Sequence, residues 1–273
     1  MLLSLFLDTY AQHRDIADST LKQYQFVILS FSRALDHPAK LSDLSADNVN
    51  GWLRSMQQAG QSPHTCKSSR MTILSVWNLA TQLDMIPRHG NVRGIRTPDL
   101  IIKTLTSEQV AAIRDCCDRL RGRWHKLTIA GYMRTFVDAT LETSLRQSDL
   151  HRIPLSCICE QPIQLIQKKT GYRRLAIFSE SLIARILHWH NGDQLIWPRH
   201  SKTLVATRLR ILGEQLKIVG LTHTMLRKTA ISDVEAQAPG SGWIFAGHRS
   251  PSTTQAWYTD RQQQYCGLPK PRL

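Results

Sequence analysis

Residues 163–178 of the chain, Ile-Gln-Leu-Ile-Gln-Lys-Lys-Thr-Gly-Tyr-Arg-Arg-Leu-Ala-Ile-Phe, form the pattern of two short strands joined by a turn. Apolar residues stand on both sides of Lys169-Thr170-Gly171-Tyr172. Glycine is the residue that most easily adopts the backbone angles of a tight turn. The segment therefore predicts a β-hairpin in a chain whose other patterns are helical. The expected fold class is mainly α with a small β-sheet.

Helical patterns surround this hairpin. Apolar residues at three- and four-residue spacing predict a helix that begins at Thr106-Ser107-Glu108-Gln109 and a long helix over residues 127–142. The same spacing returns after the hairpin, around residues 182–187 and 204–216. These patterns together predict an α+β domain in the second part of the chain.

The first hundred residues are predicted to hold four or five short helices. Ser19 and Ser45 each stand where a side-chain oxygen can cap the start of a helix, and a third helix is expected to begin at Thr65. Proline, glycine and arginine interrupt the helical pattern between residues 87 and 98. The predicted division is a helical domain of residues 1–95, a linker of residues 96–105 and a domain of residues 106–273.

The formal net charge of +14 is unevenly distributed. Residues 1–100 hold 10 Lys or Arg against 8 Asp or Glu, whereas residues 101–273 hold 25 against 13. Such a basic excess favours a polyanionic partner, because each neutralised phosphate releases counterions. The alternative is a soluble basic protein with a solvated charged face. A membrane partner is not expected, since no run approaches the roughly 20 apolar residues that span a bilayer.

The spacing of the cysteines and the lack of nucleotide-binding motifs predict a protein that holds neither a metal nor a cofactor. The six cysteines form no C-x-x-C pair, and Cys157 and Cys159 are not followed by a second pair of metal ligands. The chain has no G-x-x-x-x-G-K-[ST] loop and no carboxylate cluster for magnesium. Reduced, mostly buried thiols in a cytosolic protein are therefore the expectation.

Four short segments of the second domain differ from the apolar patterns of residues that form an ordinary hydrophobic core. They are Thr143-Ser-Leu-Arg146-Gln-Ser-Asp149-Leu150, Lys168-Lys169-Thr-Gly171, His223-Thr224-Met-Leu-Arg227-Lys-Thr229, and Ala246-Gly-His248-Arg-Ser250 with Thr253-Thr-Gln-Ala-Trp257-Tyr258. Each has an ordinary explanation when taken singly. An arginine followed three residues later by an acid is usually a surface pair of a helix, and a lysine in a turn is usually solvated. Their order and spacing together support a functional prediction.

In this order the four segments resemble the tyrosine recombinase family, which includes the phage integrases. The family's first arginine lies in a motif like T-G-L-R-x-S-E-L, and its lysine often lies in K-T-G. Its second arginine lies in H-x-L-R-x-T, its later histidine in L-G-H-x-S and its nucleophile in T-T-x-x-Y. The matching residues here are Arg146, Lys169, Arg227, His248 and Tyr258. The resemblance covers residues 106–262.

The resemblance implies an enzyme that cleaves and rejoins DNA without a metal. Tyr258 is then the nucleophile, which forms a 3′-phosphotyrosyl bond. Arg146 and Arg227 hold the phosphate oxygens, and Lys169 protonates the departing 5′-oxygen. His248 hydrogen-bonds the phosphate or the nucleophile.

The resemblance also implies how such a protein assembles. The helical first domain is similar to the family's core-binding domain, and the two domains are expected to form a clamp around double-stranded DNA. Recombination needs four active sites, so a homotetramer on DNA is implied, with a directionality factor as a possible partner. The expected location is the cytoplasm of a bacterium or phage-infected cell, at the nucleoid. Residues 259–273 either pack against a neighbouring subunit or form a disordered end.

The sequence departs from the family pattern at three places. Thr224 stands where the family has a histidine, and His223 precedes it, so either residue can fill that position. Thr224 can hydrogen-bond a phosphate but cannot act as a general base. One extra residue stands between His248 and Tyr258, which puts Trp257 where many family members have the tyrosine. Tyr265 is the alternative nucleophile to Tyr258. Ser144 replaces a glycine.

Two other functions remain open at this stage. A type IB topoisomerase uses the same chemistry to relax supercoiled DNA. A recombinase-derived DNA-binding protein with weak or absent catalysis would keep the basic charge and the helices. Both alternatives share the predicted fold, so only the chemistry of the site separates them.

Overall fold

The computed structural model describes residues 1–98, 102–124, 127–190, 192, 194–198 and 204–257. The chain divides into two compact units, Met1–Asp99 and Leu100–Leu273. Each unit has its own cluster of buried apolar side chains. No helix in the described ranges has both the length and the apolar character that a membrane crossing requires.

The first unit consists of four α-helices. They are α1 (Leu3–Arg14), α2 (Asp18–Leu35), α3 (Ala46–Gln58) and α4 (Pro63–Gln82), with a 3-10 turn at Leu41–Asp43. Its core contains Phe31 and Trp52, whose rings meet edge to face with centroids 5.4 Å apart. The Trp52 indole N–H donates to Ser30 Oγ at 3.1 Å, so this large side chain is buried without an unpaired donor.

The helix starts of the first unit confirm the predicted cap at Ser45 and correct the cap at Ser19 and the start at Thr65. Ser45 caps α3, because its Oγ accepts the backbone N–H of Asn48 at 3.2 Å. Ser19 lies inside the first turn of α2, which follows Ala17 without a side-chain cap. The helix predicted to start at Thr65 begins at Pro63, because the fixed φ of proline suits the first helical position.

The second unit is mainly helical with two antiparallel two-stranded sheets, as the fold-class prediction states. Its helices are α5 (Ser107–Asp118), α6 (Ile129–Thr143), α7 (Gln147–Leu150), α8 (Glu180–Trp189), α9 (Leu204–Gln215), α10 (His223–Gln237), α11 (Gly242–Ala246) and α12 (Pro251–Trp257). Its strands are β1 (Arg123–Trp124), β2 (Leu127–Thr128), β3 (Ile163–Ile166) and β4 (Arg173–Ala176).

Helix α6 lies at the centre of the second unit and packs against α5, α8 and α10. Phe136 of α6 is fully buried and meets the ring of Trp197 edge to face at 6.1 Å. The predicted helix start at Thr106 is confirmed: its Oγ1 accepts the Gln109 N–H at 3.2 Å. Thr106 N–H in turn donates to Gln109 Oε1, and this reciprocal pair is a capping box.

Strands β3 and β4 form the predicted hairpin. They pair antiparallel, with Ile163 opposite Ala176 and Leu165 opposite Arg174. Gly171 has φ of +70°, a left-handed conformation that glycine adopts at little cost, so the predicted role of this glycine in the turn is confirmed. Side chains alternate between the two faces of a strand, and Arg174 therefore lies on the buried face.

Candidate active site

A cavity of about 410 Å³ in the second unit gathers four of the predicted site residues. Arg146, Lys169, Thr224 and Arg227 all lie in its wall. Arg146 immediately precedes α7, Lys169 lies in the turn of the hairpin, and the other two belong to α10. The fold therefore brings three separate sequence segments to one concave, cationic surface.

The chain reversal after α6 positions Arg146. Helix α6 ends at Thr143 and is capped by Ser144, whose φ is +49°, and Arg146 then adopts the extended backbone of a helix N-cap. A left-handed φ is easier for glycine, which explains why the family has a glycine at this position. The Ser144 hydroxyl donates to the carbonyl of Phe245 at 3.0 Å and thereby ties the reversal to α11.

Arg227 is buried between α10 and the end of α11, with 3% of its surface exposed. Its Nη2 donates to the carbonyl of Ala246 at 3.0 Å and lies 3.2 Å from His248 Nε2. A guanidinium is always a donor, so Nε2 of His248 is the acceptor in this pair. The contact brings the predicted second arginine together with the predicted histidine.

His248 joins Arg227 to the last described helix. It follows Gly247, whose φ of +61° ends α11, and its Nδ1 lies 2.7 Å from the Thr254 hydroxyl in α12. Burial, followed by the charges of Arg227, Arg146 and Arg174 in that order, lowers the pKa of His248 to about 4. His248 is therefore neutral at pH 7. Because its Nε2 accepts, its Nδ1 holds the proton and donates to Thr254.

Lys169 and Thr224 form the exposed side of the cavity. Both side chains are exposed, which leaves the Lys169 ammonium accessible to a bound polyanion. Of the two lysines in the turn, Lys169 is the one in the cavity wall. The K-T-G motif selects the same lysine.

His223 is the first residue of α10 and also lines the cavity, but its ring faces the core. The ring lies 5.7 Å from that of Phe136, and it hydrogen-bonds the backbone of Leu145. Burial, followed by the charge of Arg227, lowers the pKa of His223 to about 3. The cavity wall thus contains an exposed Thr224 and, directly before it in the chain, the neutral and partly buried His223.

Two buried residues of the site were missed by the sequence analysis, Gln167 and Arg174. Arg174 is 7% exposed, and its guanidinium donates to the carbonyl of Ala246 at 3.1 Å and to Ser144 Oγ at 3.0 Å. It also contacts the carbonyls of Thr143 and Phe245. Burial, together with the charges of Arg227 and Arg146, lowers the pKa of Arg174 to about 9.

Asp149 is buried, so the surface-pair explanation of Arg146 and Asp149 is wrong. Its Oδ1 accepts the backbone N–H of Lys168 at 2.9 Å. The carboxylate thereby holds the base of the hairpin turn against α7. Asp149 is thus a structural link between the segment of the first arginine and the segment of the lysine.

Tyr258 lies outside the described residues, as do Tyr265 and the segment 259–273. Helix α12 ends at Trp257, directly before Tyr258 in the sequence. Thr254, four residues before Tyr258, is buried against His248. Within the described part of the chain, no group of three or more His, Cys, Asp or Glu side chains is placed to hold a metal ion.

The lowered pKa values of His223 and His248 predict that acid decreases the stability of the fold. In the unfolded chain a histidine takes up a proton near pH 6.5, whereas folded His248 and His223 stay neutral down to about pH 4 and 3. The unfolded state therefore binds more protons over this range, and the free energy of unfolding falls as the pH drops below 6.5. The slope is at most about 1.4 kcal/mol per pH unit for each histidine.

Thermal unfolding at pH 7, 6 and 5 measures this loss. His223→Phe keeps an aromatic ring beside Phe136 and removes one titrating group, so its melting temperature should depend less on pH than that of the wild type. His188→Gln, an exposed position on α8, is the matched control and should keep the wild-type pH dependence. Equal pH dependence in His223→Phe and the wild type would show that His223 does not contribute.

Comparison with known proteins gives structural but not sequence matches. No protein-family model matches the chain, and no curated protein sequence is similar to it. A lambda integrase fragment, solved as a dimer bound to a COC' core site, has a TM-score of 0.73 and 19% identity, with 100% of this chain and 99% of that chain covered. The Tn1549 transposon integrase in complex with circular intermediate DNA has a TM-score of 0.71 and 12% identity, with 99% and 100% covered.

A lambda integrase tetramer bound to a Holliday junction matches as well, with a TM-score of 0.72, 19% identity, and coverage of 100% of this chain and 80% of that chain. These integrases are tyrosine recombinases. At such low identities the matches establish the fold, and the fold of this chain is that of the tyrosine recombinases. The resemblance predicted from the four segments is confirmed at this level.

Proposed function

We propose that the chain is a site-specific tyrosine recombinase, an integrase that cleaves and rejoins DNA strands through a 3′-phosphotyrosyl intermediate. Its role would be to integrate or excise a mobile element. The observation that supports this most is the shared cavity wall of Arg146, Lys169, Thr224 and Arg227. His248, which is neutral and lies beside this wall, contacts Arg227 directly.

The two arginines would bind the non-bridging oxygens of the scissile phosphate. A guanidinium presents paired N–H donors that match the geometry of phosphate oxygens. The negative charge on these oxygens grows as the phosphorus becomes five-coordinate. Donors that are already in place when this charge develops typically contribute a few kcal/mol each to transition-state stabilisation.

Tyr258 would attack the phosphorus, and Lys169 would complete the proton balance. A free tyrosine has a pKa near 10, so neighbouring cations are needed to make the phenolate available. The phenol gives up its proton to solvent, the new bond joins the phenolic oxygen to phosphorus, and the bond to the 5′-oxygen breaks. Lys169 donates the proton that the departing oxygen needs. The covalent bond preserves the phosphodiester energy, so the reverse attack rejoins the strand without a nucleotide cofactor.

His248 would connect the phosphate side of the site to the helix before the nucleophile. It accepts from Arg227 and donates to Thr254 in α12. A neutral histidine with this pair of contacts fixes the arginine relative to α12. To hydrogen-bond the phosphate or the nucleophile when DNA is bound, His248 would exchange one of these two contacts for the new one.

A trapped DNA adduct tests the proposal directly. The substrate is a duplex with a nick close to the cleavage site, so that the freed fragment diffuses away and the covalent complex accumulates. Digestion and mass spectrometry then identify the attached residue, which we expect to be Tyr258. A chain that binds DNA but never forms an adduct is instead an inactive, recombinase-derived DNA-binding protein. The exposed Thr224 in place of a histidine is the observation that favours this second candidate.

Substitution Thr224→His tests the departure from the family pattern. The side chain at this position is exposed in the cavity wall, so an imidazole fits without displacing core residues. If Thr224 is a weakened version of the family's histidine, cleavage should become faster, by up to about 10²- to 10⁴-fold, the range typical of general acid–base assistance. Single-turnover cleavage measures the change, with Thr224→Ser as the matched control. Unchanged or lost activity in Thr224→His would show that Thr224 is not simply a weakened histidine.

The assembly around DNA is proposed on similar grounds. The lambda integrase structures are a dimer on a core site and a tetramer on a Holliday junction. We propose that this chain likewise acts as a homotetramer on double-stranded DNA. The helical unit Met1–Asp99 would act as the core-binding domain and the second unit as the catalytic domain. A directionality factor and a place at the nucleoid in the cytoplasm belong to the same proposal.

A further inference from the structure

A single buried amide lies at the junction of the site's segments. Gln167 directly follows β3, at the base of the hairpin turn, and only 1% of its surface is exposed. The polar groups around it come from three places in the chain: Arg146 before α7, Thr170 in the turn, and Gly247 at the end of α11. A buried amide is stable only if its donors and acceptors are paired, and these partners achieve that.

The partners fix which way the amide points. Arg146 Nη1 can only donate, so the Gln167 atom 2.6 Å away is the oxygen Oε1. The Thr170 hydroxyl donates to the same oxygen at 2.8 Å. The nitrogen Nε2 then donates to the carbonyl of Gly247 at 3.1 Å. Each end of the amide therefore meets groups of the opposite hydrogen-bonding type.

The amide also lies close to the backbone of Gly247. A Cβ atom at Gly247 would lie 2.3 Å from Gln167 Nε2 and 2.8 Å from Arg174 Cδ. Glycine at this position thus allows the backbone before His248 to approach the amide closely. The result is a rigid connection from Arg146, through Gln167, to the residue that precedes His248.

We infer that Gln167 is a positioning residue for the phosphate-binding arginine. By occupying one N–H of Arg146, it orients the guanidinium so that other donors face the cavity. Its second hydrogen bond holds that guanidinium in a fixed relation to Gly247 and therefore to His248. The inference rests on the proposed function, since it assigns Arg146 the task of binding the scissile phosphate.

Substitution Gln167→Met tests the inference in single-turnover cleavage of the nicked duplex at saturating DNA. Methionine fills a similar volume without either hydrogen bond. We expect cleavage to slow about 10- to 100-fold, as for other small displacements of a catalytic group, with DNA affinity nearly unchanged. Arg146→Ala with Gln167→Met should cleave no more slowly than Arg146→Ala alone, because both changes remove the same interaction. Gln164→Met, on the exposed face of β3, is the control and should keep the wild-type rate.

A crystal structure of the variant provides the second measurement, which does not depend on activity. We expect Arg146 Nη1 to leave the position it holds beside residue 167. If Gln167→Met does not fold, Gln167→Glu replaces it in both measurements. This variant keeps an oxygen for Arg146 and loses the donor to Gly247, so cleavage should again slow while the structure shows Gly247 displaced.

The outcomes separate the inference from the proposed function. A wild-type protein that forms no adduct contradicts the proposed function, and the position of Arg146 in the variant structure still decides whether Gln167 holds it. An active wild type with multiplicative losses in the double variant, or with Arg146 unmoved in Gln167→Met, would overturn the positioning role alone. Where Gln167→Glu replaces that variant, an unmoved Gly247 would do so. If the double variant cleaves no more slowly than Arg146→Ala alone, and Arg146 is displaced in the variant structure, the proposed function and the positioning role are both supported.

Discussion

Substitution Tyr258→Phe is expected to abolish strand cleavage and adduct formation while affinity for duplex DNA stays nearly unchanged. The phenolic oxygen is the only atom removed, and in the proposed reaction that oxygen forms the bond to phosphorus. We expect no other group to replace it, because a covalent intermediate needs a nucleophile in line with the leaving oxygen. Electrophoretic mobility shift measures binding, and denaturing electrophoresis of the nicked-duplex reaction measures the adduct.

The matched control for this experiment is Tyr265→Phe. It removes a hydroxyl from the second tyrosine of the same C-terminal segment, and wild-type cleavage is expected. The reverse result, with Tyr258→Phe active and Tyr265→Phe inactive, would move the nucleophile to Tyr265. An adduct that still forms in both single variants would refute the assignment of either tyrosine.

The fold could be predicted largely because its local signals agree with one another. Ser45 and Thr106 cap helices as expected, and Gly171 provides the turn of the hairpin. The two misplaced helix starts lie within two residues of the true ones. At Ser19 the preceding Ala17 takes the cap position with no side-chain bond, and a sequence search for capping side chains cannot find such a start.

The cationic residues that line the cavity could be predicted from the sequence, but the buried polar residues behind them, Gln167 and Arg174, could not. Arg146, Lys169 and Arg227 belong to segments with a recognisable order, and the fold brings them together. Gln167 and Arg174 belong to no such segment, and a polar residue in a short hairpin is normally expected to face solvent. Only the strand register, with Arg174 opposite Leu165, indicates that its side chain faces inward.

His223 and Thr224 are adjacent, and motif spacing alone could not decide which of them fills the family's histidine position. On a helix, residues four apart share a face, so His223 and Arg227 lie on the same side of α10. His223 is thereby directed to the core near Phe136, while Thr224 faces the solvent side of the cavity. The sequence names both residues, but the choice depends on where α10 begins and which of its faces is buried.

Substitution Arg227→Ala is expected to slow cleavage by a factor of about 10² to 10³ or more, the usual cost of losing a preorganised donor to a developing charge. Arg227→Lys keeps the charge but loses the paired donors, so an intermediate rate is expected. Arg210→Ala, an exposed arginine on α9, is the control and should cleave at the wild-type rate. A rate for Arg227→Ala near that of the wild type would remove Arg227 from the site.

The same variant has a second effect that does not depend on catalysis. The charge of Arg227 is the largest electrostatic contribution to the low pKa of His248, after burial. Without that charge, the pKa of His248 should rise from about 4 toward its ordinary value, and an NMR titration of the imidazole measures the shift. The carbonyl of Ala246 keeps its bond from Arg174, so the backbone there retains a donor. A raised pKa with lost cleavage shows that Arg227 acts on both the phosphate and the histidine, whereas an unchanged pKa would contradict their contact.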